Sequence, residues 1–244
     1  MQLLETWRDL VATRQPHSSI RVGDTEAAVA AHDEILTMQF IRATYPWANG
    51  PFYGLTLPDR GARELLVQAM KQADFIGLHR RPEWYFRPLA ECIMQYYDIR
   101  PSQLFYAFEN AYISKLAEFY RWFRDVPVLL IGGKAERYRA VLERRYGWTG
   151  VVGTVTHWRW TDLEQSRAAM RSFDYRVAII GAGVAAKVLA ADAKAAGNVG
   201  IDFGSGIDTC IQSDAEGVDA WDWSKFPKYG PETGEHLREA SPPM

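Results

Sequence analysis

Cysteine is scarce in this 244-residue chain: there are two, Cys92 and Cys210, far apart and without the spacing of a zinc site. That excludes a disulfide-stapled module and points to free thiols in a reducing compartment. The five histidines, His17, His32, His79, His157 and His236, lack His-x-x-x-His or similar spacing, so a zinc centre is not expected either. No window approaches the ~18–20 uninterrupted apolar residues of a membrane span. The amphipathic N-terminus, with Glu5, Arg8, Asp9 and Arg14, has no apolar signal-peptide core. Charge of one sign is missing too: 28 basic against 30 acidic residues give a net −2, which argues against a general nucleic-acid binder. The expectation from these absences is a soluble, cytoplasmic protein.

What is present is a chain long enough for a full core, with apolar runs of strand length alternating with helical patterns. Strands are expected near 19–22, 52–57, 75–78, 104–107, 126–131, 151–155, 177–180 and 199–203. Helices are expected over 25–45, 60–73, 82–97, 110–123, 135–146, 165–172 and 184–196, after an N-terminal helix. This alternation predicts an α/β fold, a Rossmann-like, largely parallel sheet with helices on both faces. One domain over 1–213 and a C-terminal extension over 214–244, rich in proline and carrying Trp221 and Trp223, complete the expected organisation.

Two segments carry chemistry. The first, Ser19-Ile20-Arg21-Val22-Gly23-Asp24-Thr25-Glu26, is a short strand, a glycine turn and two carboxylates one residue apart. At a strand-to-helix corner of an open α/β sheet, such a pair suits a hard divalent cation, Mg²⁺ or Mn²⁺, bridging to substrate phosphates. The plain alternative is a capped helix start, with Asp24 and Glu26 at the positive helix end. The second runs from Arg176 through Gly181, Gly183 and Lys187 to Asp192, a buried strand, a glycine turn and a helix. It is followed by Ile201-Asp202-Phe203-Gly204-Ser205. A glycine turn opening a helix suits a diphosphate; it also fits tight packing without a ligand, or the G-x-G-x-x-A fingerprint of a nicotinamide dehydrogenase with Asp202 on the ribose.

In this order and separation the two segments resemble the GT-D fold glycosyltransferases, over about residues 18–210. In that family the first motif usually reads R-F-G-D-G-E, and the second A-L-G-P-T-A-x-V-L-A followed by L-D-I-G-H. Here Thr25 replaces a glycine and Ser205 stands where histidine is usual. A third corner, Glu109-Asn110-Ala111-Tyr112, is similar to the family's S-R-P-Y, with Asn110 at the arginine-like position.

The resemblance implies transfer of a sugar from a nucleotide-diphosphate donor, a UDP-sugar, to a glycan or glycoconjugate acceptor, with a divalent cation held by Asp24 and Glu26. It also implies donor or metal contacts from Arg21, Gly23, Gly181, Gly183, Asn110 and Lys115. Asp202 is the candidate for acceptor handling or general base, with Glu109 second. His79, followed by Arg80 and Arg81, is a further pocket candidate that suits a substrate phosphate or a loop cap, and Trp47, Tyr53, Trp84, Trp158 and Trp160 have surfaces suited to sugar rings or to core and rim packing. Two other readings stay open, an NAD(P)-dependent oxidoreductase and a non-catalytic nucleotide-sugar-binding protein. A homo-oligomer is compatible with the aromatic tail.

Overall fold

The structure is a computed structural model that describes residues 2–48, 54–80 and 86–217. Seven strands form one all-parallel sheet: β1 (His17–Arg21), β2 (Phe75–Leu78), β3 (Gln103–Tyr106), β4 (Val128–Gly132), β5 (Val151–Val155), β6 (Val177–Gly181) and β7 (Val199–Asp202), in the order β3-β2-β1-β7-β6-β4-β5. Parallel strands need crossover helices, and these cover both faces. In chain order they are α1 (Gln2–Ala12), α2 (Asp24–Ala31), α3 (Met38–Thr44), α4 (Arg60–Gln72), α5 (Arg87–Tyr96), α6 (Glu109–Ile113), α7 (Ala117–Trp122), α8 (Ala135–Tyr146), α9 (Leu163–Met170), α10 (Ala185–Ala195) and α11 (Gly206–Ala215).

Because side chains alternate along a strand, each central strand feeds two cores. Val128 and Leu130 of β4 join Val177 and Ile179 of β6 beneath α1, α6, α7, α8 and α11. Leu129, Ile131, Ala178 and Ile180 face α2, α3, α4, α5, α9 and α10. The edge strand β3 needs no such double burial, and its Leu104 is exposed. No helix among the described residues is long and apolar enough to cross a membrane.

Three expectations are corrected. The helix expected over 25–45 is two: α2 stops at Ala31, Asp33 takes a left-handed φ of 57°, and Thr37 starts α3 by accepting the Phe40 N–H at 3.3 Å. The carbonyl of His32, just past the end of α2, accepts from Arg63 Nη1 at 2.7 Å. The helix over 110–123 also breaks, between α6 and α7, where the Ser114 carbonyl accepts from the Tyr120 hydroxyl at 2.6 Å. Residues 54–57 form no strand, and 52–53 lie outside the described residues. One helix went unforeseen: α11, whose start is disguised by Gly204 and Gly206. Tyr53, Arg81, Trp84 and the tail beyond Gly217 also lie outside the described residues.

The strand order puts a switch between β1 and β7. The chain leaves β1 into α2 on one face and leaves the neighbouring β7 into α11 on the other. Ligand crevices in open α/β sheets open at the carboxyl ends of such strand pairs.

Candidate functional site

Arg21 ends β1 and Asp202 ends β7, and the register of the two strands sets them side by side. The Arg21 backbone N–H donates to Asp202 Oδ2 at 3.2 Å, its Nη2 to Oδ1 at 2.9 Å, and its Nε to the Asp202 carbonyl at 3.2 Å. A side chain at residue 204 would collide with this guanidinium, and Gly204 has a left-handed φ of 44°, so glycine is required there.

Lys187 reaches the same carboxylate from α10, its Nζ 3.0 Å from Asp202 Oδ2 and 2.5 Å from Glu26 Oε1. It also donates to the Gly183 carbonyl at 3.1 Å. Glu26 Oε2 accepts the Gly23 N–H at 3.0 Å. Two cations and two carboxylates thus close a neutral network, with Asp202 3%, Lys187 2% and Glu26 8% exposed. Burial alone would strip Lys187 of its proton, but the Asp202 and Glu26 carboxylates outweigh it and raise its pKa. Burial likewise opposes ionisation of Asp202, and Arg21 and Lys187 overcome it, holding the carboxyl below its ordinary value.

These contacts give several of the expected site residues structural partners. Asp202 has both oxygens committed to cations and is a poor proton acceptor; it joins the β1 and β7 ends instead. Arg21 serves Asp202 as its main partner. Gly181 is explained by packing, since a Cβ there would press to 2.7 Å from Ile207 Cδ1. Gly183 has a left-handed φ of 53° and turns its carbonyl to Lys187. Asn110, 1% exposed, donates from Nδ2 to the Phe203 carbonyl at 2.5 Å, tying the β3–α6 corner to the β7–α11 corner. Lys115 is buried in the α6–α7 connection, and burial lowers its pKa to about 8.

Asp24 heads α2, half-buried, with Oδ1 accepting the Thr25 N–H at 2.7 Å. Glu109 heads α6, also half-buried. Tyr112 has its pKa raised to about 12, chiefly by burial; Arg80 opposes the rise and the Glu109 charge adds to it, placing these groups together. Arg80 lies over the Tyr106 ring at 4.8 Å, and His79 is enclosed by Phe86, Tyr106 and Phe108. Trp158 is 63% exposed yet held firmly. Its ring lies on Gly133, at the carboxyl end of β4, and Asp162 Oδ2 accepts the N–H groups of Trp158 and Arg159 at 2.9 and 3.0 Å. Trp47 is exposed in the short 3₁₀ turn Pro46–Ala48 after α3, and Trp160 packs on the core.

A cation shared by Asp24 and Glu26 does not fit this arrangement. Both Glu26 oxygens are engaged by protein donors, and among the described residues no three His, Cys, Asp or Glu side chains converge on a cation site. The residue that sequence reasoning missed is Lys187. Its signal was present: a lone lysine among Ala185, Ala186, Val188, Leu189 and Ala190, all buried, must bring its own counter-charge.

Comparison with curated proteins found no match. Among solved structures the chain is similar to a glycosyltransferase (DUF1792) from Streptococcus sanguinis, with 16% identity, TM-score 0.57, and 90% of this chain and 91% of that one covered. It is also similar to the highly conserved domain of unknown function 1792, described as having a distinct glycosyltransferase fold, at 14% identity and TM-score 0.52, over 96% and 92% of the chains. A selenomethionine-substituted structure of that domain matches at 13% identity and TM-score 0.53, over the same shares. The model of the GT-D fold-like domain matches residues 1–210, and the chain, with its parallel sheet and its buried charge network at the ends of β1 and β7, belongs to that GT-D-like family.

Proposed function

We propose that the protein is a glycosyltransferase that moves a sugar from a nucleoside-diphosphate donor to a hydroxyl of a glycan or glycoconjugate. The observation that carries this reading is the buried Arg21–Asp202–Lys187–Glu26 network at the sheet's switch point, beneath the first turns of α2 and α10. The N-termini of α2 and α10 meet at this corner, and helix N-termini favour the negative charge that grows on a departing diphosphate. In the transfer, the acceptor oxygen bonds to the anomeric carbon, the bond from that carbon to the diphosphate oxygen breaks, and the hydroxyl proton leaves to a base.

Glu109 is that base in this reading. It sits at the carboxyl edge, and Asn110 beside it is fastened to the β7–α11 corner. With Asp202 engaged by two cations, Glu109 is the better-placed proton acceptor. The network's part is to hold the β1 and β7 corners rigid, so that donor and acceptor meet in one geometry.

The test is a thermal-shift and calorimetric screen of UDP, UDP-sugars, GDP, NAD⁺ and NADP⁺, followed by turnover assays with the donors that bind. Stabilisation by a nucleoside diphosphate and release of it from a nucleotide sugar are expected. Stabilisation by a nicotinamide cofactor instead would overturn the reading, and tight donor binding without turnover on any acceptor would leave a binding protein.

A further inference from the structure

We propose that Lys187 is the resident cation of this crevice, and that nucleotide binding needs no divalent metal at Glu26. The inference rests on the nucleoside-diphosphate reading above and adds to it which charge serves the site. Three observations carry it.

The first is donor accounting. Glu26 offers two oxygens, and Lys187 Nζ at 2.5 Å and the Gly23 N–H at 3.0 Å engage one each. A metal on Glu26 has to share these oxygens with the donors already on them, or displace one. Losing the Gly23 contact reopens the α2 start; losing Lys187 removes a counter-charge from a buried ammonium.

The second is where Lys187 would go. Its neighbours on α10 are buried, its own exposure is 2%, and the Gly183 carbonyl holds its Nζ at 3.1 Å. An ammonium stranded there would be strongly unfavourable.

The third is charge balance. Arg21 and Lys187 already match Glu26 and Asp202 one for one. A divalent ion at this corner adds two positive charges next to two fixed cations, and Asp24, the other carboxylate in the first turn of α2, offsets one of them. Lys187 already occupies Glu26 without that repulsion, and it is in position before any substrate arrives.

The experiment titrates the full chain with Mn²⁺ alone, by calorimetry and by the electron paramagnetic resonance of free Mn²⁺. A second titration measures UDP binding in Mn²⁺ and in EDTA. The expected result is no saturable Mn²⁺ site that either Asp24→Asn or Glu26→Gln removes, and a UDP Kd that differs by less than about twofold between the two conditions. A stoichiometric Mn²⁺ site lost in either variant overturns the proposal, as does UDP binding that requires Mn²⁺. Lys187→Gln, which uncovers Glu26 and Asp202, is expected to gain a Mn²⁺ site that adding Glu26→Gln abolishes; should it fail to fold, the wild-type titrations decide by themselves. If no nucleotide binds at all, the donor reading fails, and the Mn²⁺ titration of the chain alone still judges Lys187.

Discussion

The ionised residues at the crevice divide into those that hold the fold and those at its edge. Asp202 belongs to the first group. Asp202→Asn keeps the shape but leaves Arg21 and Lys187 with a single carboxylate between them. Breaking a buried pair in this way is expected to lower the unfolding free energy by about 3 kcal/mol, read from urea melts at constant m-value. Glu109 belongs to the second group. Glu109→Gln should leave the melting temperature and UDP affinity unchanged while kcat falls by roughly 10²–10⁴. An unchanged kcat would remove Glu109 from the mechanism. At this scale the sequence was half legible. The motif residues Arg21, Glu26 and Asp202 do meet, 181 positions apart in the case of Arg21 and Asp202. Their mutual neutralisation was not readable, because it depends on the direction from which Lys187 arrives, and only the packing of α10 across the sheet sets that.

Among the elements, α1 shows how a helix far from the crevice is fastened. Trp7 Nε1 donates to Ser19 Oγ at 2.9 Å, and Ser19 Oγ lies 2.7 Å from His17 Nε2, whose other ring nitrogen is 3.4 Å from Asp74. The indole takes one lone pair of the serine oxygen, and the direction of the Ser19–His17 hydrogen bond follows the protonation of the imidazole. Burial drives the His17 pKa down to about 4, with Asp74 opposing and Lys194 assisting. The folded-state pKa is therefore below the unfolded value of about 6.5, so the unfolded chain takes up the proton first. Stability is fully present above pH 6.5, declines as pH falls towards 4, and levels off below that. This single group contributes up to ~3 kcal/mol to the loss. Urea midpoints compared at pH 7 and pH 5 should fall accordingly, and His17→Gln should flatten that slope. The elements themselves were the most legible part of the sequence: strands 75–78, 151–155 and 177–180 match to within a residue. The failures, at 25–45 and 110–123, share a cause. Apolar spacing continues through a break that is made by backbone turns and tertiary hydrogen bonds to Arg63 and Tyr120.

For the whole molecule, the carboxyl edge of the sheet extends from the β1–β7 crevice across β6 and β4 to Trp158. Strands lie about 4.8 Å apart, so the indole stands roughly 10 Å from β7, a span suited to a ring bonded to, or accepting from, the donor. A rigid, water-facing indole is a platform for a sugar face or a base. Trp158→Ala is expected to weaken binding of that ring by about 3–10-fold, with Trp158→Phe retaining most of it and the melting temperature unchanged. Equal KM values for acceptor and donor in all three proteins would remove the platform. The family was legible from two short motifs because their order and separation encode the strand order. The aromatic rim was not, since nothing in the spacing of Trp158 distinguishes a displayed ring from a packed one.

The strand order has a consequence for how the molecule is made. β1, β2 and β3 form one three-stranded sheet, and β4, β5 and β6 another; β7 alone pairs with both, through β1 and β6. As synthesis proceeds from the N-terminus, each half can assemble in turn; α10 packs on both β1 and β6, but no strand joins the two until the last one emerges and slots between them. Asp202, the residue that neutralises both cations, arrives on that keystone. A chain whose halves have failed to close leaves Arg21 and Lys187 without their shared partner, and the crevice exists only in molecules whose sheet is complete.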